Sequence, residues 1–340
     1  MLTRRFARRP GVAGLLGAGG LGLAVAPAPA QITYIFSNQG TNVATPALAT
    51  GASTLSGMPA PSGSQWSECP AEPGRGASAL AGVTVSADQD GVHRVADDFI
   101  VSNPGGWIVE RLAVYAYLTS TAPGAPFSAA TVRILRGGPP GAPGSSVVWG
   151  DTTTNRLQSQ TATNVYRVFN SVTLPLGPMP DLSRRVWRVE LNIPLLSLAP
   201  GTYWVDWQLV TTDPGARALS PTVTVAGVRS GEHFNARQFT PVNGVAAWAP
   251  IVDGGKPSSS ADLPVDLPFI LMGRVPAPGC AGDGDGNGVV TFSDIESALR
   301  QWNTASSTGP LAGDANHDGV VDFADIVAIL ANWGSICQAP

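Results

Sequence analysis

The chain of 340 residues contains 40 glycines and 30 prolines, and only 13% of its residues are charged. Frequent chain-breaking residues and sparse charge exclude an architecture of long amphipathic helices, while 44% hydrophobic residues support a packed core. The formal net charge of −4 lacks the basic excess of nucleic-acid-binding proteins, so no nucleic-acid partner is expected.

The N-terminus has the pattern of a cleavable export signal over residues 1–30. Positive charges precede an apolar segment at 11–26, and small residues at 28–30 offer a cleavage site. The charged residues are Arg4, Arg5, Arg8 and Arg9. We predict export to the periplasm, the cell surface or the exterior, with the twin-arginine route left open. The apolar segment falls short of the roughly 20 residues that span a membrane, so the mature chain should carry no anchor.

Residues 31–274 predict a body of short β-strands. Trp187, Val189 and Leu191 alternate with Arg188 and Glu190, which is typical of a half-buried strand. Further strands are predicted at 32–36, 92–101, 107–117, 131–135, 147–149, 165–169, 203–209, 222–225 and 269–272. Many short strands predict a mainly β fold whose body is a β-sandwich of jelly-roll type, carrying a small all-α calcium module at the C-terminus.

Turn residues divide these strands. Asn-Pro-Gly-Gly at 103–106 predicts a hairpin turn, and Pro-Gly at 200–201 starts another strand. Residues 40–80, rich in Ala, Ser, Gly and Pro, predict long loops. Pro-Ala-Pro-Gly at 276–279 interrupts the pattern, so residues 275–282 are assigned to a linker.

An internal repeat of 31 residues aligns residues 283–294 with 314–325. In a 12-residue calcium loop, side chains at positions 1, 3, 5 and 12 reach one ion only when position 6 turns sharply, and here that position holds Gly288 and Gly319. Position 7 contributes a carbonyl, and position 9 often acts through water. The predicted ligands are Asp283, Asp285, Asn287, Val289, Thr291 and Asp294, and then Asp314, Asn316, Asp318, Val320, Asp322 and Asp325.

The charge of this segment supports a cation site. From Ala281 onward, eight carboxylates stand against Arg300 alone, a net charge of −7. We predict two calcium ions, with the second loop the tighter because it offers four carboxylates against three. A metal-free Asp/Asn/Gly turn is the alternative, and two copies in register argue against it.

A short amphipathic helix is predicted after each loop. Spacing of i, i+3, i+4 and i+7 gives each helix an apolar stripe, and the two stripes should bury each other. The stripes comprise Ile295, Ala298, Leu299 and Trp302, and Ile326, Ile329, Leu330 and Trp333. Gly334 is placed to end the second helix.

This duplicated EF-hand-like loop and helix, without a preceding helix, resembles type I dockerin modules over about 55 of the 340 residues, at 283–337. The resemblance implies calcium-dependent folding and docking onto a cohesin-like module, commonly in assemblies for polysaccharide catabolism. Phe292-Ser293 and Phe323-Ala324 depart from the Ser-Thr-like pair common in dockerins. The ending also resembles dockerin-like tails of exported planctomycete proteins.

Three cysteines give an odd count in an oxidising compartment. Cys280 and Cys337 bracket the repeats, and pairing two loop-helix units about a pseudo-twofold axis brings the ends of the module together. We therefore predict a disulfide between them, with a Cys69–Cys280 bond as the competing arrangement.

The body contains no identifiable catalytic motif. Asp97 and Asp98 should point to opposite faces of a strand, and we interpret them as solvated or turn-bonding carboxylates. His93 and His233 are isolated, and neither a phosphate loop nor a nucleophile elbow occurs. The strand at 203–209 is interpreted as core, with a sugar-stacking tryptophan as the alternative.

Two functions follow. The first is an exported calcium-binding protein whose dockerin-like tail is an interaction module for a non-catalytic β-sandwich. The alternative is a carbohydrate-binding module or polysaccharide-active enzyme recruited through that tail. A groove with paired acids would favour the enzyme, and an exposed tryptophan would favour sugar binding. The body otherwise resembles uncharacterised β-sandwich regions of exported bacterial proteins, through Asp97-Asp98-Phe99 and the Pro-Gly-Thr-Tyr-Trp segment at 200–204.

Overall fold

The computed structural model describes a mainly β protein. The described residues are 33–38, 48–69, 71–72, 76–78, 80–87, 92–103, 106–119, 124–172, 180–223, 234–242, 245–275, 280–305 and 311–337. The predicted export signal, His233 and the Pro-Ala-Pro-Gly segment lie outside them.

The strands are short in the first third of the chain and long in the middle. They are β1 Thr33–Ser37, β2 Gln65–Glu68, β3 Ala71–Glu72, β4 Gly76–Ala77, β5 Val83–Thr84, β6 Arg94–Val101, β7 Trp107–Leu118, β8 Phe127–Arg136, β9 Ser146–Asp151, β10 Leu157–Val168, β11 Arg185–Leu198, β12 Gly201–Thr211, β13 Ala218–Ser220, β14 Arg237–Val242, β15 Val245–Pro250, β16 Val252–Asp253, β17 Leu263–Pro264 and β18 Phe269–Arg274. Two helices follow, α1 Phe292–Arg300 and α2 Phe323–Ala331.

Two large sheets build the body, residues 33–274. One has the order β1-β18-β7-β11-β10-β2, with β13 and β5 added beside β7, and the other has the order β15-β14-β6-β12-β8-β9. Strand β2 runs parallel to β10, whereas β7 is antiparallel to β11 and β12 is antiparallel to β8.

The core lies between these sheets. Val109 and Leu112 of β7 belong to the same buried cluster as Val205 and Trp207 of β12. The alternation at β11 is as predicted, since Val189 and Leu191 are buried while Arg188 and Glu190 form an ion pair of 2.9 Å on the other face. The expected mainly β body is therefore confirmed.

In the sheet that contains β7, the last strand of the body lies between two earlier strands, since β18 pairs with both β1 and β7. In the other sheet, β12 lies between β6 and β8. The assignment of this two-sheet body to the jelly-roll type stays a prediction. Where β12 begins, the Tyr203 hydroxyl donates to the Ala199 carbonyl at 3.0 Å, a contact that closes the corner between β11 and β12.

Most predicted strands are present, at β1, β6 to β12 and β18. The strand predicted at 222–225 is wrong for Thr222 and Val223, which are not in a strand, and its remainder lies outside the described residues. Within the predicted loop region 40–80, the short strands β2, β3 and β4 were missed. No helix among the described residues is long and apolar enough to cross a membrane.

The hairpin predicted at 103–106 is also wrong. Strands β6 and β7, which flank this turn, belong to different sheets, so the chain crosses from one layer to the other. Turn residues specify a reversal of the chain, and they do not determine whether the flanking strands share hydrogen bonds. The second turn starts β12 at Gly201, as predicted, and it makes the same kind of crossing.

Candidate metal centre

The first predicted calcium loop folds around three buried carboxylates. Oxygen atoms of Asp283, Asp285 and Asp294 all lie within 4.8 Å of one another. Calcium binds oxygen at about 2.3–2.6 Å, so two ligands of one ion stand at most roughly 5 Å apart. These donors therefore fit one calcium ion.

Backbone N–H groups hold the carboxylates of this loop in place. Asp283 accepts from Asn287 N at 3.0 Å and from Gly288 N at 2.9 Å, and Gly288 has the positive φ of +86° expected at the sharp turn. Asp294 accepts from Asp285 N at 3.0 Å and from Thr291 N at 2.7 Å. A carboxylate has about four lone-pair sites, so each retains acceptor capacity for a cation.

The second loop repeats these contacts 31 residues later. Asp314 accepts from Asp318 N at 3.0 Å and from Gly319 N at 2.9 Å. Asp325 accepts from Asn316 N at 3.1 Å and from Asp322 N at 2.8 Å. The two loops therefore share one backbone conformation, although Asp318 is exposed whereas Asp314 and Asp325 are buried.

Each loop passes directly into its helix. Thr291 and Asp322, at loop position 9, are the N-caps of α1 and α2, and Asp294 and Asp325, at position 12, complete a capping box. The same carboxylate thus satisfies a helix terminus and faces the loop interior. Aspartate in place of the usual glutamate at position 12 is compatible with this arrangement because its short side chain reaches the N-cap amide.

Reciprocal backbone hydrogen bonds join the two units. Gly282 N donates to Ala315 O at 2.9 Å, and Gly313 N donates to Gly284 O at 2.7 Å. These two bonds are equivalent after a shift of 31 residues. The bridges between Val289 and Ile336 and between Ala305 and Val320 are related in the same way. The module, residues 280–337 and hereafter the tail, therefore has an internal pseudo-twofold symmetry.

No protein-family model, no curated protein and no solved structure matches this chain.

The predicted disulfide is confirmed. Cys280 and Cys337 are bonded, with their Cα atoms 5.8 Å apart, and both sulfurs lie within 4.8 Å of a carboxylate oxygen of Asp283. Cys69 is buried in the body, and its thiol donates to the Leu80 carbonyl at 3.6 Å. The competing bond between Cys69 and Cys280 is therefore wrong.

The apolar stripes of the helices are only half buried, which corrects the expectation that they bury each other. Ala298 and Ile329 are fully buried with Val290 and Val321 in a small core. By contrast Leu299 is 59% exposed and Leu330 is 58% exposed. Further exposed apolar residues of the tail are Phe292, Trp302, Phe323, Val327, Trp333 and Ile336. Two helices of nine residues pack through one side only, so an outer apolar surface remains.

Burial raises the pKa of two carboxyl groups in the first loop. It raises the pKa of Asp294 from 3.8 to about 7, and the carboxylates of Asp285 and Asp283 add to the rise while backbone hydrogen bonds oppose it. Burial likewise raises the pKa of Asp283. A bound cation offsets this cost because it supplies positive charge where the carboxylates are out of water.

The tail contacts strands β18 and β11 of the body. Arg274, the last residue of β18, donates to the Asp285 carbonyl at 2.8 Å and lies 3.3 Å from its carboxylate, while also pairing with Glu110. On β11, Leu195 O accepts from Gln301 Nε2 at 3.2 Å and Ser197 Oγ accepts from Ala312 N at 2.9 Å. The sequence placed Arg274 only at the end of the predicted body, outside the predicted strand at 269–272, so this link was missed.

For the body, one interpretation needs correction and another is confirmed. Asp97 is buried rather than solvated, since it shares the inward side of β6 with Val95 and Phe99. It accepts from Leu267 N at 2.7 Å, and burial followed by the charge of Asp266 raises the pKa of Asp97 well above its ordinary value. Both tryptophans of β12, Trp204 and Trp207, are buried, which confirms a core strand and excludes sugar stacking there.

Proposed function

We propose that this protein is an exported calcium-binding protein whose dockerin-like tail holds two calcium ions and attaches a non-catalytic β-sandwich to a partner. The observation that carries the proposal is the pair of loops with equivalent hydrogen bonds. In the first loop, Asp283, Asp285 and Asp294 bring their oxygens within 4.8 Å of one another. Three buried carboxylates at this spacing are costly without a compensating positive charge, and one calcium ion among their oxygens would supply it.

The outer surface of the helices supports an interaction role. Leu299 of α1 and Leu330 of α2 occupy positions 31 residues apart, and both are more than half exposed. Contiguous exposed apolar residues on a small module are typical of a protein interface. A cohesin-like module is the partner that the dockerin resemblance implies, and export by the N-terminal signal would place the complex outside the cytoplasm.

Calcium titration of the mature chain, residues 31–340, tests the first half of the proposal. Calorimetry should show two bound calcium ions per chain, with the loop-1 site lost in Asp294→Asn and the loop-2 site lost in Asp325→Asn. The matched variant Asp262→Asn, which changes an exposed aspartate of the body, should bind two ions. Absence of calcium binding by the folded chain would refute the proposal.

Partner capture tests the second half. The immobilised mature chain should retain a cohesin-like protein from an extract of its source in calcium and release it in chelator. The double variant Leu299→Ser, Leu330→Ser should lose the partner yet keep both calcium ions, because both side chains are more than half exposed and neither is a predicted ligand. Retention that is unchanged by both the variant and chelator would show that the tail is not the interaction module.

A further inference from the structure

An open cavity of about 750 Å³ lies on the outer side of the six-stranded sheet, away from the tail. Its floor includes Arg94, Arg133 and Gln208. Because successive residues of a strand point to opposite faces of the sheet, these side chains lie on the face opposite to core residues such as Val95 and Trp207. The connection between β8 and β9 covers the floor, and a Cβ on Gly141 would meet Trp248 Cδ1 at 3.2 Å. The sheet, the connection between β8 and β9, and Trp248 of β15 thus line the cavity on three sides. It has the size of a small-ligand site.

The charged floor carries an excess of guanidinium groups. Asp206, fully buried beneath the cavity, accepts from Arg94 Nε at 2.7 Å and from Arg133 Nε at 2.7 Å, and it also pairs with Arg133 Nη2. Two cations therefore share one carboxylate. Among the described residues lining the cavity there is no aspartate or glutamate. The nearby carboxylate of Asp151 is half-exposed, accepts from Thr153 and Thr154, and lies 4.0 Å from Arg156 Nη2.

The walls combine aromatic rings with uncharged polar groups. Phe239 and Trp248 lie with ring centroids 5.5 Å apart, and both line the cavity. Ser145 Oγ is buried at the wall with no hydrogen-bond partner among the described residues. A flat apolar ring face, a guanidinium donor and a hydroxyl are the groups that together recognise a sugar ring bearing a negative charge.

We infer that this cavity binds an anionic sugar residue, bearing either a carboxylate or a sulfate ester, with Trp248 against the ring and Arg133 at the anionic group. A guanidinium can pair with two oxygens of a planar carboxylate or of a tetrahedral sulfate ester. The absence of paired acids in the lining favours binding over glycoside hydrolysis, which needs two carboxylates roughly 5 to 9.5 Å apart. This site is independent of the calcium loops.

Calorimetry on the mature chain with three probes tests the inference: a galacturonic acid trimer, a sulfated galactose trimer and a neutral galactose trimer. At least one acidic trimer should bind about tenfold or more tightly than the neutral one, because a charge-assisted hydrogen bond contributes on this scale. Binding should be equal in calcium and in chelator. Loss of binding in chelator would assign the sugar to the calcium loops and overturn the inference.

Variants then locate the site. Trp248→Ala should weaken binding of the acidic trimer about tenfold, and Arg133→Gln about ten- to a hundredfold with little effect on the neutral trimer. Trp248→Phe, which keeps an aromatic ring, should retain most of the affinity. This variant serves as the control for a folding defect in Trp248→Ala. Tyr34→Ala and Arg111→Gln alter equivalent groups on the other sheet and should bind as wild type. Unchanged binding in both cavity variants, or no binding of either acidic trimer, would overturn the inference.

Discussion

Asp294 has two roles, as a buried carboxylate in the first loop and as the third helical residue of the capping box of α1. Its pKa in the metal-free fold is raised from 3.8 to about 7 by burial and neighbouring acids. The folded tail therefore binds more protons than the unfolded tail between these values, and its stability without metal should fall as pH rises through this window. Calcium binds the deprotonated form, so saturating calcium should reverse the trend.

Hydrogen exchange of peptides from the tail, measured on the full mature chain at pH 5 and pH 8 with correction for intrinsic rates, checks this expectation. In chelator, protection should be greater at pH 5, and in calcium it should be greater at pH 8. Asp294→Asn cannot titrate and should flatten the dependence in chelator. Protection that increases with pH in chelator would contradict the expected sign.

Arg274 places a cation beside one predicted ligand of the first loop, 3.3 Å from the Asp285 carboxylate. Because its guanidinium offsets part of the loop's negative charge and is shared with Glu110, Arg274→Gln should tighten calcium binding at the first loop by about two- to fivefold, the equivalent of roughly 0.5–1 kcal/mol. Calorimetry separates the sites, and the second loop serves as an internal control. Weaker binding at the first loop would mean that Arg274 chiefly maintains the loop conformation.

At the level of elements, the sequence determined more of the tail than of the body. The 31-residue repeat placed twelve candidate ligands because position within the loop fixes which side chains converge. Strand positions were also predictable from alternating burial, as at β11. Strand order, the layer crossing between β6 and β7 and the exposure of Leu330 were not predictable, because each depends on which surfaces meet after folding. The cavity combines β6, β8, β9, β12, β14 and β15 with a loop, and no local pattern encodes that combination.

Substitutions of Asp322, the N-cap of α2, distinguish the effect of its charge on calcium binding from its effect on the stability of the helix. Asp322 accepts from Ala324 N at 2.7 Å and is also a predicted calcium ligand. Asparagine caps helices about as well as aspartate, so Asp322→Asn should keep α2 stable in chelator yet weaken calcium binding at the second loop. Asp322→Ala should in addition lose about 1 kcal/mol of stability. Amide exchange of α2 and calorimetry measure the two quantities, and equal behaviour of both variants in chelator would show that the cap contributes little.

The corner at the start of β12 contributes to the body alone. Tyr203 donates to Ala199 O at 3.0 Å from a buried position. Tyr203→Phe should lower the free energy of unfolding of the body by about 1–2 kcal/mol, since it leaves a carbonyl without this donor. Urea unfolding followed by tryptophan fluorescence measures the change. The control Tyr34→Phe, at an exposed position on β1, should be neutral, and a neutral Tyr203→Phe would show that the corner is dispensable.

For the whole molecule, body and tail differ in what stabilises them. The body encloses a large apolar core between two sheets, whereas the core cluster in the described part of the tail comprises five small or aliphatic side chains beside buried carboxylates. Without metal those carboxylates are costly to bury, and a small core compensates poorly. The Cys280–Cys337 bond offsets part of this deficit by closing the tail, which contributes about 4 kcal/mol in the chain-entropy model for a loop of this length.

Chelation should therefore unfold the tail and leave the body folded, with reduction of the disulfide enhancing the effect. Hydrogen exchange on the full mature chain is the suitable measurement: amides of α1 and α2 should lose protection in chelator, while amides of β7 and β11 keep theirs. The variant Cys280→Ser, Cys337→Ser should need more calcium to protect the same helices, because closure no longer constrains the unfolded tail. Simultaneous loss of protection in the tail and in β7 would show that the contacts of Arg274, Gln301 and Ala312 with the body couple the two into one folding unit. Full protection of α1 and α2 in chelator would instead show that packing and the disulfide stabilise the tail without calcium.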